Sequence, residues 1–158
     1  MKKLLIALVV FLSITCSAQE IKKIKITDLQ KTIAASKTPL IINFWASYCS
    51  PCIKEIPFFE EIVAKNKSTG VRLLLVSLDL RDAYPAKIQA MSKKLNFSSA
   101  VVWLDETNAD YFCPKVDTAW SGGIPSSLFI NNQKGYRKFF ETELTRVQFE
   151  AELKKMIQ

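Results

Sequence analysis

Apolar and polar positions alternate along the chain in strand-like and helix-like blocks. Ile24 and Ile26 alternate with lysine in a short first strand. A helix is expected from Thr27, because TDLQ has the Thr-x-x-Gln form of a capping box and Leu29 and Ile33 share one face. PLIINFWA at 39–46 is an unbroken apolar run, the pattern of a strand covered on both sides. From Ser50 or Pro51 the period turns helical, with Ile53, Ile56, Phe59, Ile62 and Val63 on the inner side. VRLLLVSL at 71–78 is a second buried strand. AYPAKIQAMSKKL then lines up Tyr84, Ile88, Met91 and Leu95 on one helical face, with Pro85 near the first turn. AVVWL at 100–104 reads as a strand, and a short helix over 109–113 is expected to stop around Pro114. SSLFI, the turn NNQKG and YRKFF make a hairpin, and a last helix from about Thr145 turns Phe149, Leu153, Met156 and Ile157 inward.

This alternation predicts an α/β fold with a mixed sheet. The 158 residues, 49% hydrophobic and 23% charged, suit one globular domain. The chain has no histidine, which excludes Ser-His-Asp and Cys-His hydrolases and His-ligated zinc.

The start of the chain is different in kind. Lys2 and Lys3 precede an apolar run from Leu4 to Leu12, followed by small residues at Cys16, Ser17 and Ala18. That is the form of a secretory signal peptide over 1–18, cut after Ala18, with a domain over 19–158. The run falls short of the about 20 apolar residues a membrane span needs, so no transmembrane span is expected in the mature chain. An exported, periplasmic protein follows, with lipid anchoring at Cys16 as the alternative; Ser13-Ile14-Thr15 matches a lipoprotein signal poorly. The net charge of +7 is spread over scattered lysines rather than one stripe, so no nucleic-acid partner is expected.

Export permits disulfides. Cys49, Cys52 and Cys113 remain beyond the leader, enough for one intramolecular pair. Cys49-Ser50-Pro51-Cys52 sits where a buried strand ends and a helix begins. Cysteines three apart across a helix start lie within bridging reach, and only the first faces outward. The unpaired N–H groups of the helix start stabilise its thiolate, which makes Cys49 the nucleophile and Cys52 the resolving thiol. Zinc would need more ligands than the chain offers, and a haem site would need His where Ile53 stands. No metal or cofactor is therefore expected. Cys113, after Tyr111 and Phe112, reads as a buried inert thiol, and Trp103 and Phe139 read as core.

With Trp45 and Ala46 ahead of the cysteines, Pro57 after them and GGIP at 122–125, the chain resembles the thioredoxin superfamily, in particular the exported TlpA/ResA-like thiol-disulfide oxidoreductases. The resemblance covers almost all of 20–158. It implies a thioredoxin fold, a mixed central sheet flanked by helices, with an inserted helix-strand element at 84–104. It also implies that Pro125 is cis and faces the disulfide, and that the Ile124 backbone pairs with a substrate chain. Trp120 and Trp45 join them as substrate-binding candidates. The implied partners are protein disulfides and a recycling electron donor, commonly membrane-bound in this family.

The chain departs from thioredoxin at Asn43, where thioredoxin has a buried Asp that accepts the resolving thiol's proton. Asp79 or Asp82 is the candidate replacement. Ser50 and Pro51 add no charge between the cysteines, so the expected direction is reduction of partner disulfides. A thiol-based client or Cu(I) chaperone and a thiol peroxidase are the rival readings.

Overall fold

A computed structural model describes residues 20–158; the leader-like segment 1–18, with Cys16, lies outside the described residues. The elements in chain order are β1 (Lys22–Ile24), α1 (Ile26–Ala34), β2 (Leu40–Trp45), α2 (Ser50–Lys65), β3 (Arg72–Ser77), α3 (Ala86–Lys94), β4 (Ala100–Leu104), α4 (Ala109–Val116), β5 (Ser126–Asn131), β6 (Tyr136–Phe140) and α5 (Arg146–Ile157). The strands form one sheet in the order β1-β4-β3-β2-β5-β6. The first four in that order are parallel neighbours, while β5 runs antiparallel to β2 and β6 antiparallel to β5. This is the mixed α/β sheet of a thioredoxin fold, with α3 and β4 inserted between β3 and the closing hairpin.

β2 is buried along its whole length, so its side chains alternate between two cores. Ile41 and Trp45 join Ile56, Phe59, Phe129 and Phe149 beneath α2 and α5. Leu40, Ile42 and Phe44 join Ile26, Leu29 and Trp120 on the opposite side, beneath α1 and α4. Phe59 stacks on Phe149 with ring centroids 4.0 Å apart, tying α2 to α5. Burying each such ring contributes about 2–3 kcal/mol. Asn43 falls between Ile41 and Trp45, a polar residue on the α2 side of the sheet.

Three helix boundaries differ from the sequence expectation: α3 begins at Ala86, so Tyr84, expected on its inner face, precedes the helix and stacks on Trp103 with ring centroids 4.4 Å apart. α1 begins at Ile26, not Thr27, because the Asp28 carboxylate accepts the Lys25 backbone N–H at 3.1 Å and caps the helix one residue earlier. Ile26 therefore leaves the strand pattern and is fully buried as the first helical residue. α4 continues through Pro114 to Val116. Proline there forfeits one backbone hydrogen bond, and burial of Phe112, Cys113 and Val116 offsets it.

Candidate active site

β2 brings the chain to one end of the sheet and α2 carries it away. In the turn between them the Cys49 N–H donates to the Ala46 carbonyl at 3.0 Å. Cys49 caps α2: its Sγ accepts the Cys52 N–H at 3.3 Å. Pro51 lies in the first turn, where its missing N–H would have had no helical partner. Cys49 and Cys52 form a disulfide with Cα atoms 5.3 Å apart. Cys52 is fully buried and Cys49 is 7% exposed, so Cys49 offers the sulfur an incoming group reaches. The positive end of α2 favours a thiolate there.

The Ile124–Pro125 peptide is cis. Pro125 is buried and Ile124 half-buried. Two clefts flank the disulfide turn and share Ile124. One, of about 280 Å³, is lined by Tyr48, Leu78, Leu80 and Phe112. The other, of about 450 Å³, is lined by Pro51, Pro125, Glu141 and Glu143. Tyr48 and Leu80 are 68% and 71% exposed. They share the first cleft, with Tyr48 next to Cys49 in the chain, and large side chains left in water there suit an apolar partner. Neither was singled out in the sequence, where each reads as one apolar residue in a loop.

The two tryptophans stand elsewhere. Trp45 is wholly buried, edge-on to Phe97, and offers no surface to a partner. Trp120 is buried among Phe44, Phe112 and Phe139, and its indole N–H donates to the Gly123 carbonyl at 2.9 Å. It supports the Pro125 loop from behind rather than lining the groove. Cys113 is buried, and desolvation pushes its thiol up to about 11, with Glu141 and Asp110 adding repulsion.

The proton-acceptor candidates also separate. Asp82 is exposed and paired with Lys87 at 3.1 Å. Asp79 is buried and fully engaged: its carboxylate accepts from the Ser47 N–H at 2.9 Å, the Ser47 hydroxyl at 2.5 Å and the Ser77 hydroxyl at 2.8 Å. Asp79 thus holds the turn before Cys49. The carboxyl on the Cys52 face of α2 is Glu55, one helical turn further along and fully buried. It accepts from Asn43 Nδ2 at 2.8 Å and from the Leu144 N–H at 2.9 Å. Burial pushes its pKa up to about 7, against the lowering by those two donors, and Glu143 adds repulsion. A buried carboxyl with a pKa near neutrality, three residues along the same helix face from Cys52, is placed to take the proton of the Cys52 thiol once the bridge is reduced. Glu55 was missed in the sequence although it keeps step with Cys52, Ile56 and Phe59 on the inner stripe of α2. No group of three or more Cys, Asp or Glu among the described residues is placed to hold a metal ion.

A model of the AhpC/TSA family matches residues 11–135. The chain belongs to the AhpC/TSA family. Within this thioredoxin-superfamily group it is similar to the thiol-disulfide oxidoreductase ResA of Bacillus anthracis, 28% identical over 135 residues, which is 85% of this chain and 69% of the relative. Among solved structures, a thioredoxin-related protein from Neisseria meningitidis serogroup B superposes with a TM-score of 0.63 at 23% identity, over 79% of this chain and 87% of the other. A thiol:disulfide interchange protein of the thioredoxin family from Chlorobium tepidum gives 0.62 at 18% identity, over 77% and 81%. These likenesses match the sheet and helices described above, and the Cys49–Cys52 bridge fits a redox-active site on that fold.

Proposed function

We propose that this chain is an exported thiol-disulfide oxidoreductase that reduces protein disulfides through Cys49 and Cys52. The observation that carries the reading is a closed CxxC bridge at a helix start, with Cys49 the more exposed of its two cysteines and a buried titratable carboxyl one helical turn beyond Cys52.

In the reduced protein the Cys49 thiolate attacks one sulfur of a client disulfide. The client S–S bond breaks, its second sulfur leaves as a thiolate, and Cys49 is joined to the client. The Cys52 thiol gives its proton to Glu55, and the resulting thiolate attacks Cys49 Sγ. The mixed disulfide breaks, the client leaves with both sulfurs reduced, and two electrons have passed from the cysteine pair to the client. The closed bridge is then reopened by an electron donor, which the reading places at the membrane. Ile124 and Pro125 receive the client backbone, and Tyr48 and Leu80 receive its apolar side chains.

Export rests on the pattern of residues 1–18, with cleavage after Ala18 and a periplasmic site of action; an intact mass carrying a lipid on Cys16 would replace that assignment. Among the described residues no helix is long and apolar enough to cross a membrane. Nothing charged stands between the cysteines, so the potential should fall nearer the about −270 mV of thioredoxin than the about −120 mV of a strong oxidant.

The test is turnover of a protein disulfide by the reduced chain. Wild type should reduce it, Cys49→Ser should not, and the potential against glutathione should fall at the reducing end. Activity that survives Cys49→Ser would overturn the reading. Peroxide consumption that survives Cys52→Ser would move it to a peroxidase.

A further inference from the structure

The loop that carries Ile124 and Pro125 is held by a carboxylate that the sulfur chemistry does not use. Glu141 directly follows β6. Its Oε2 accepts the Ser121 N–H at 2.9 Å, and its Oε1 accepts the Gly123 N–H at 2.6 Å and the Ser121 hydroxyl. The other end of Gly123 is fixed as well: its carbonyl accepts from the Trp120 indole at 2.9 Å and the Ser126 hydroxyl at 2.7 Å. The residue before Ile124 is thus gripped on both sides.

The glycines make this closure possible. A Cβ on Gly123 would stand 2.8 Å from Glu141 Oε1, so any side chain there pushes the carboxylate away. Gly122 has φ +102°, a conformation that L side chains rarely adopt. Burial raises the pKa of Glu141, but the Ser121 hydroxyl and the N–H groups of Ser121 and Gly123 outweigh it and hold the carboxyl below its usual range. The clamp is therefore anionic at neutral pH, and hydrogen bonds to an anion are the stronger kind.

We propose that Glu141 is a positioning residue: by fixing Ser121 and Gly123 it sets the Ile124–Pro125 backbone against which an extended client segment lies, and so sets a preference for polypeptide disulfides over small ones. The proposal rests on the disulfide-reductase reading above. It assigns Glu141 no contact with the reacting sulfurs.

The experiment compares the reduced full chain on insulin and on hydroxyethyl disulfide, a small substrate with no backbone to pair. Glu141→Gln leaves one acceptor oxygen for donors that now use two, and Gly123→Ala displaces the carboxylate from the other side. Each should lower kcat/KM on insulin about tenfold, mainly through KM, and leave hydroxyethyl disulfide within about twofold. The double variant should lose little more than either single, since both break one contact. The Cys49–Cys52 potential should not move, because the pair is held by α2. Equal loss on both substrates, an unchanged ratio despite a lowered Tm, or additive losses would each overturn the proposal. A wild type that reduces neither substrate overturns the functional reading and this inference together; a wild type active on both, with variants that keep its ratio, overturns this inference alone.

Discussion

Replacing Glu55 with glutamine removes the carboxyl behind the disulfide while keeping its shape. Its pKa is about 7 in the fold against 4.5 for the ordinary group, with burial the largest cause. Between those values the folded chain holds a proton that the unfolded chain has released. The stabilisation is therefore fully present below about pH 4.5 and is lost as pH rises through 7. From pH 5 to pH 8 the loss amounts to about 2–3 kcal/mol. The chain has no histidine to titrate in the same window. Denaturant unfolding of the oxidised protein at steps from pH 5 to 8 should show this fall in wild type, and a profile flatter by that amount in Glu55→Gln. Rotating the Asn43 amide would bring its Oδ1 to the new N–H but take Nδ2 from the Ser126 carbonyl and the Ser127 hydroxyl. That cost is independent of pH, so the comparison rests on the slopes and not on the absolute stabilities. The same variant should slow release of the client from Cys49 about 100-fold near pH 7 while leaving the first attack nearly unchanged. A wild-type profile that is flat, or the same slope in both proteins, would refute the assignment of the proton to Glu55.

Three further outcomes follow from the geometry. Asp79→Asn weakens the hydrogen bonds that hold Ser47 and Ser77, so unfolding should become easier by about 2 kcal/mol while the pH profile of resolution keeps its midpoint; a displaced midpoint would return Asp79 to the mechanism. Cys113, buried and with its thiol pushed up to about 11, should resist iodoacetamide in the folded protein at pH 8; labelling as fast as that of the reduced Cys49 would contradict its inert placement. Phe59→Ala removes the ring stacked on Phe149 and should cost about 3–5 kcal/mol in denaturant unfolding; a loss under about 1 kcal/mol would mean that α2 and α5 are held together by other contacts.

Much of this architecture is legible in the residues because burial writes itself as period. The unbroken run at 40–45 is a central strand, and the inner stripe of α2 follows the spacing at Ile56, Phe59, Ile62 and Val63, while Ile53 stays half-buried and Cys52 and Glu55 complete the stripe. The Cys49 turn is legible for the same reason, since a CxxC at a strand-to-helix junction fixes both position and chemistry. What escaped depends on contacts distant in sequence. Leu144, 89 residues from Glu55, supplies one of its two hydrogen bonds, and Glu141 meets Gly123 only after β6 has paired with β5. α1 starts one residue before the spacing predicts because the capping side chain is Asp28 rather than Thr27. Pro114 looked like a helix end because local propensity disregards the apolar face that Val116 completes. Glu55 had a readable signal, a lone acid on an apolar stripe.

The central claim is that Cys49 captures a partner's sulfur and Cys52 releases it. The most direct measurement is the mass of reduced Cys52→Ser after incubation with a protein disulfide, followed by peptide mapping. A covalent adduct at Cys49, released by dithiothreitol and missing from Cys49→Ser, is the predicted result. An adduct at Cys113, or none at either site while the wild type still reduces the same substrate, would contradict it.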